Sequence, residues 1–276
     1  MTFAGTSRRT SALVRIDEAS SKGEGLMNED LSGSAASSAW MLDGATDVGT
    51  TFRPDPRMTG AYWLVHQVDA MLASDSGEAS HGSLLGKVAS QVDAKLRRLG
   101  LDDSHLPPAC SAGIVTLDSP HINVSLVGDV FIFKLEGNRL LSDGRFGRNE
   151  RKAVQGQVLG GTDGQLGIAQ RRQGYIRGHN DQWILANNPS IGQHITSERW
   201  ECQTGDHILL ATDGFARAVT DYGLFDNWLS LTLAVMRNGA ESEVDRIRAY
   251  ERVTRDSRSH FKRADDVCVA MYRVED

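Results

Sequence analysis

The chain has 276 residues, 40% hydrophobic and 24% charged, enough for one large domain or two small ones. Its formal net charge of -6 speaks against a nucleic-acid-binding surface, which needs a basic excess, and no apolar run approaches the ~20 residues of a membrane helix. Cys110, Cys202 and Cys268 lie far apart, each within or beside an apolar segment, which points to reduced thiols in a cytoplasmic protein rather than a disulfide framework.

In chain order, Met1 to Arg15 lacks the apolar core of a secretory signal, and the polar stretch Met1 to Thr10 is expected to fray. Ser11 to Ile16 predicts a first strand, followed by a polar loop over Ser20 to Gly25 and then Asn28-Glu29-Asp30. The apolar run before Asp43-Gly44 predicts a buried strand ending in a carboxylate, where Gly44 lets a backbone carbonyl approach an ion. A hairpin onto that strand would bring Glu29 and Asp30 near Asp43; the small residues Ser32 to Ser38 fit a loose loop equally well.

After Pro54 and Pro56 the period changes. Ala61, Leu64, Val65, Val68, Met71 and Leu72 fall at helical spacing, as do Leu85, Val88, Val92, Leu96 and Leu99, so two amphipathic helices are predicted. Trp63, His66 and His81 read as ordinary packing or surface. Three strands follow, Cys110 to Leu117, His121 to Val127 and Val130 to Leu135, with Asp129 at a turn.

Residues 138–188 are glycine-rich and basic, with Arg139, Arg145, Arg148, Arg151, Lys152, Arg171, Arg172 and Arg177, and predict an irregular, flap-like insertion. Most such loops are only solvated, although an arginine here could bind phosphate bidentately. Gln182 to Ala186 returns the chain to the body. His207 to Thr212 is a second apolar run ending in Asp-Gly, at Asp213-Gly214. A second helical pair follows, with Leu224, Trp228, Leu231 and Val235 on one face and Val244, Ile247 and Tyr250 on another. The chain closes with Asp265-Asp266 leading into a buried strand, Val267 to Val274. No linker divides the chain, so 1–276 is expected to be a single domain.

Taken singly, each Asp-Gly is the commonest turn dipeptide. Collected, the strand-edge acids are Glu29, Asp30, Asp43, Asp129, Asp213, Asp265 and Asp266, and carboxylates that converge without cations would raise one another's pKa. Hard oxygen donors without a His or Cys set favour Mn2+ or Mg2+ over Zn2+. A cysteine phosphatase is excluded because no cysteine lies in a loop ending in Arg, and Gly82 to Val88 is one residue short of a phosphate-binding loop and reads as a helix start.

In this order, Asn28-Glu29-Asp30, Asp43-Gly44, Val127-Gly128-Asp129, Ala211-Thr212-Asp213-Gly214 and Asp265-Asp266-Val267 resemble the motifs of the metal-dependent protein phosphatases of the 2C family, bacterial type. The resemblance spans roughly Ser11 to Val274. It implies an α+β fold, a four-layer α-β-β-α sandwich of two antiparallel sheets flanked by helical pairs. It also implies a serine/threonine phosphatase in signalling, a metal-binding hydrolase in which a hydroxide bridging two Mn2+ or Mg2+ ions attacks a phosphoprotein with no covalent intermediate. The residues carried over are Asp43 and Asp213 as catalytic. Metal binding would fall to Glu29, Asp30, Asp43, Gly44 through its carbonyl, Asp129, Asp213 and Asp265, with Asp129 and Asp213 at a possible third ion.

The chain departs from the family at Gly25, where an Arg usually holds the substrate phosphate, and Lys22 or a flap arginine would have to substitute. It departs again at Ala45-Thr46-Asp47, where a glycine-rich continuation and sometimes a His are usual, and at Val130-Phe131, where Ser-Arg often stands. Asp47 would be an extra ligand or a helix cap. Two further readings fit: a small-molecule phosphomonoesterase of the same fold, and a catalytically weak, phosphatase-like protein-binding module.

Overall fold

The computed structural model describes residues 11–75, 79–143, 161–254 and 264–276. The expected frayed start, and Arg145, Arg148, Arg151 and Lys152 of the basic stretch, lie outside the described residues.

Strands β1 (Ala12–Ser21), β2 (Asp30–Ser34) and β3 (Ser38–Ala45) open the chain, followed by helices α1 (Gly60–Ala73) and α2 (His81–Arg98). Next come β4 (Ala109–Asp118), β5 (His121–Val127), β6 (Phe131–Lys134) and β7 (Arg139–Ser142), then α3 (Gly161–Ile176). β8 (Thr196–Glu201) and β9 (His207–Ala211) precede α4 (Asp213–Thr220), α5 (Trp228–Asn238) and α6 (Ala240–Val253), and β10 (Val267–Glu275) ends the fold. The strands make two five-stranded antiparallel sheets, ordered β1-β10-β9-β6-β7 and β2-β3-β4-β5-β8.

Side chains of a strand alternate between its faces, so a strand buried on both sides reads as a continuous apolar run. β3 is such a strand: Ala39 and Met41 join the core between the sheets, while Trp40 and Leu42 join the core beneath α1 and α2. β9 divides likewise, with Ile208 and Leu210 between the sheets and Leu209 and Ala211 toward α4 to α6. In β10, Cys268, Ala270 and Tyr272 face inward and Val267, Val269 and Met271 face the helices. The result is the expected α-β-β-α sandwich. Each large apolar side chain buried in it, such as Trp40, Phe133 or Phe215, contributes about 1.5–3 kcal/mol.

The helices begin where their caps dictate. Thr59 caps α1 by accepting the Tyr62 amide at 3.1 Å, and Asn227 and Ser230 form a reciprocal capping box at the start of α5. Gly82 to Val88 lies in the first turns of α2, as read.

Several details differ from the sequence reading. β1 runs on to Ser21 and pairs with β10, with a register shift between Arg15 and Asp17, so its polar second half is strand. Within 138–188, Arg139 to Ser142 is a strand paired with β6, and Gly161 to Ile176 is a helix, where an irregular stretch was expected. β8 was not anticipated because it is an edge strand on which only Trp200 is buried, leaving no apolar period to read. Residues after Asp213 form α4 rather than a turn. Of the two readings given for His81, packing holds and surface does not: it is buried, with its ring nitrogens 2.7 Å from Ser125 Oγ and 2.9 Å from Thr116 Oγ1. Among the described residues, no helix is long and apolar enough to cross a membrane.

Candidate metal centre

The β2–β3 hairpin forms, and its register sets Asp30 directly opposite Asp43. Asp43 has the parity of Met41 and Ala39, so both carboxylates project into the gap between the sheets at one end of the sandwich. Like charges directly opposed in a ladder are destabilising unless a cation lies between or beside them. Burial pushes the Asp30 pKa well up, and the charges of Asp266, Asp265 and Asp213 push it further, opposed by a hydrogen bond from Thr212. Asp43 is raised well above the usual range by burial and then by Asp30, Asp213, Asp129 and Asp265. Acids from five parts of the chain therefore share one electrostatic environment.

Backbone amides and side-chain hydroxyls position the acids. The Glu29 amide donates to Asp266 Oδ2 and the Gly23 amide to Asp266 Oδ1, both at 2.7 Å, so the buried Asp266 anchors the loop that leads into β2. Gly44 donates its N–H to the Glu29 carbonyl at 3.0 Å, and a Cβ on Gly44 would stand 2.6 Å from that oxygen. The glycine is thus required for close approach of the loop to β3. Thr46 Oγ1 donates to Glu29 Oε2 at 3.0 Å. The Asp213 amide, at the start of α4, donates to Asp43 Oδ2 at 3.3 Å. A Cβ on Gly214 would lie 1.9 Å from the Asp266 carbonyl, so α4 is seated directly on the start of β10. Asp129, after the positive-φ Gly128, accepts from Ser111 Oγ at 2.6 Å and returns its amide to the same hydroxyl at 3.2 Å.

Asp265 faces a partner that the sequence reading missed. Arg217, one turn into α4, places Nη2 2.6 Å from Asp265 Oδ2 and 3.6 Å from Asp213 Oδ2. Burial would lower the Arg217 pKa, but the Asp265 and Asp213 charges more than offset it and hold the guanidinium firmly cationic. The Asp213-to-Arg217 spacing is the helical i,i+4 pair, a signal legible once α4 is recognised as a helix.

Asp47 accepts from the amides of Gly60 and Ala61 at 2.9 and 3.2 Å and from Arg53 Nε at 2.7 Å, so it caps the N-terminus of α1. Lys22 Nζ donates to the Gly25 carbonyl at 2.9 Å, within its own loop. From α3, Arg172 donates to the carbonyls of Ala45 and Thr46, which draws the basic stretch onto the segment following Asp43.

Two observations test whether a divalent cation suits these residues. Asp30 Oδ2 is buried with no hydrogen-bond partner among the described residues, and the donors are all hard carboxylate oxygens whose mutual repulsion a cation would relieve. The donor chemistry fits Mn2+ or Mg2+ on the Asp30–Asp43 side. As they stand, no three His, Cys, Asp or Glu among the described residues converge closely enough to hold one ion, and at Asp213 and Asp265 the Arg217 guanidinium supplies the positive charge.

Neither a protein-family model nor a curated protein matches the chain. Solved structures do. The catalytic domain of the serine/threonine protein phosphatase PstP in complex with two manganese ions superposes with a TM-score of 0.55 at 15% identity, over 97% of this chain and 100% of that one. The Mycobacterium tuberculosis serine/threonine phosphatase PstP/Ppp gives 0.57 at 15% identity, over 96% and 100%. PppA, a regulatory component of T6SS in Pseudomonas aeruginosa, gives 0.53 at 15% identity, over 96% and 100%. Over nearly its whole length, the chain has the fold of the bacterial 2C-type serine/threonine phosphatases.

Proposed function

We propose that this chain is a metal-dependent phosphatase that hydrolyses phosphoserine and phosphothreonine in proteins by direct attack of water, within a single domain covering 1–276. The observation that carries the reading is the in-register opposition of Asp30 and Asp43, joined electrostatically by Asp129, Asp213 and Asp265 at one end of a phosphatase-type sandwich. Buried acids in one electrostatic environment either hold on to their protons or are neutralised by a cation, and a cation is what frees them to ionise together.

Two bound Mn2+ or Mg2+ ions would neutralise the phosphate and lower the pKa of a coordinated water. Asp43 would be shared between them, with Gly44 offering its carbonyl, Asp213 and Asp265 holding the second ion, Glu29 and Asp30 acting through the hydration shell, and Asp129 available to a third. The protein supplies position: β3 fixes Asp43, Asp266 fixes the Glu29 loop, and the α4 N-terminus orients Asp43 through the Asp213 amide. With Gly25 offering no side chain, Arg172, which contacts the segment that follows Asp43, would serve the substrate phosphate. Three buried cysteines fit a reducing, cytoplasmic compartment.

One observation favours a second reading, a phosphatase-like protein-binding module: the Arg217 guanidinium already neutralises Asp213 and Asp265. Hydrolysis of a phosphothreonine peptide separates the two. The phosphatase reading expects turnover with Mn2+ or Mg2+, loss with chelator, and at least about a hundredfold loss in Asp213→Ala. Folded protein inactive in every metal, on phosphopeptides and on small phosphomonoesters, would leave the binding module.

A further inference from the structure

Arg217 Nη2 faces the Oδ2 atoms of both Asp265 and Asp213, the two acids that would hold a second divalent ion. The three groups cannot drift apart freely. Asp213 and Arg217 are one turn apart on α4, and the contact of Gly214 with the Asp266 carbonyl seats that helix against the residue next to Asp265. The Arg217 side chain is 18% exposed, and those of Asp213 and Asp265 are 29% and 20% exposed, so solvent screens the triad only partly. A guanidinium does not lose its proton in a protein, so an incoming cation has to displace it rather than neutralise it. Tyr222 offers a place to go: its oxygen already contacts Arg217, and its hydroxyl donates to Glu251 Oε1 at 2.8 Å.

We propose that Arg217 is an internal counter-cation that competes with the second divalent ion for Asp213 and Asp265, so that the centre fills in two steps, one ion on the Asp30–Asp43 side and a weaker one that must first expel the guanidinium. This rests on the metal-centre reading above and adds that the chain carries its own brake on the second ion. The charge-assisted contact that must be broken corresponds to about a tenfold to hundredfold weakening of that site. The brake makes occupancy, and with it any activity needing both ions, steeply dependent on free metal concentration.

The test is Mn2+ titration calorimetry on the full chain, wild type against Arg217→Gln and Arg217→Ala, with thermal unfolding in chelator and in Mn2+. Wild type is expected to show one tighter and one weaker site. Both variants should tighten the weaker site at least about tenfold, unfold at lower temperature in chelator because the Arg217 cation no longer offsets the charges of Asp213 and Asp265, and regain that stability in Mn2+. A purely structural ion pair would lower the unfolding temperature in both conditions without tightening metal binding, and that result overturns the proposal. A crystal structure of wild type at saturating Mn2+ covers the case of variants that do not fold: Arg217 should have left Asp265, and two ions bound with the 2.6 Å contact intact would overturn the proposal as well. Mn2+ binding and turnover unaffected by Arg217 would remove this inference alone, whereas no Mn2+ binding by any of the three proteins would remove the metal-centre reading with it.

Discussion

Asp43 is held in the folded chain with its pKa raised, by burial first and then by four other carboxylates. A carboxyl whose folded pKa lies above its unfolded value stabilises most at low pH, and the contribution is lost as pH rises through the folded pKa. At neutral pH without metal, Asp43 therefore works against the fold. Asp43→Asn removes the charge at nearly constant shape, so in chelator it should raise Tm by about 2–6 °C while abolishing stabilisation by Mn2+. A differential scan of both proteins in chelator and in Mn2+ checks this; a variant less stable than wild type in chelator would show that the carboxylate has cationic support already. Asp266 supports the fold through hydrogen bonds. It receives two amides at 2.7 Å and is buried, so Asp266→Ala should cost about 2–4 kcal/mol in urea unfolding and loosen the Glu29 loop. The sequence marked Asp265 and Asp266 as a pair of strand-edge acids, but only the fold separates the one that faces Arg217 from the one that ties down a loop.

At the scale of elements, legibility followed the number of buried faces. β3, β9 and β10 are buried on both sides, and their continuous apolar runs delimited them to within a few residues. β7 and β8 are short edge strands with a single buried residue each, so their sequences carry no period, and α4 is eight residues long behind an Asp-Gly that reads equally well as a turn. Missing α4 meant missing Arg217, whose position over Asp213 exists only on a helix. The same junction gives a sharp packing test: Gly214→Ala puts a methyl 1.9 Å from the Asp266 carbonyl, and should cost about 1–3 kcal/mol in urea unfolding and weaken Mn2+ binding with it. At the start of α2, burial lowers the His81 pKa to about 4, and the neutral ring bonds Ser125 and Thr116. Because the folded value is depressed, this contribution is complete above pH ~6.5 and is lost as pH falls toward 4. Wild type should lose about 3 kcal/mol more between pH 7 and pH 4 than His81→Gln does, measured by urea unfolding in chelator; equal slopes would mean that His81 titrates normally.

Over the whole molecule, the sandwich brings segments more than two hundred residues apart, Glu29 and Asp266 among them, to one end of two packed sheets. Hydrophobic patterning marked most of its strands and helices, the four-layer arrangement followed from the resemblance of the motifs, and the acids could be listed because each stood at a strand edge. Which acids face one another depended on strand register, Asp30 against Asp43 above all, and which carries a compensating charge depended on side-chain geometry that no local pattern encodes. The proposed function stands on this convergence being a divalent-cation centre. Anomalous diffraction from crystals grown with Mn2+ tests it most directly. A peak is expected within coordination distance of Asp43, between the sheets, with a second beside Asp213 and Asp265 only at higher Mn2+. Crystals grown at saturating Mn2+ with no peak at Asp43, or with manganese bound only elsewhere, would contradict it.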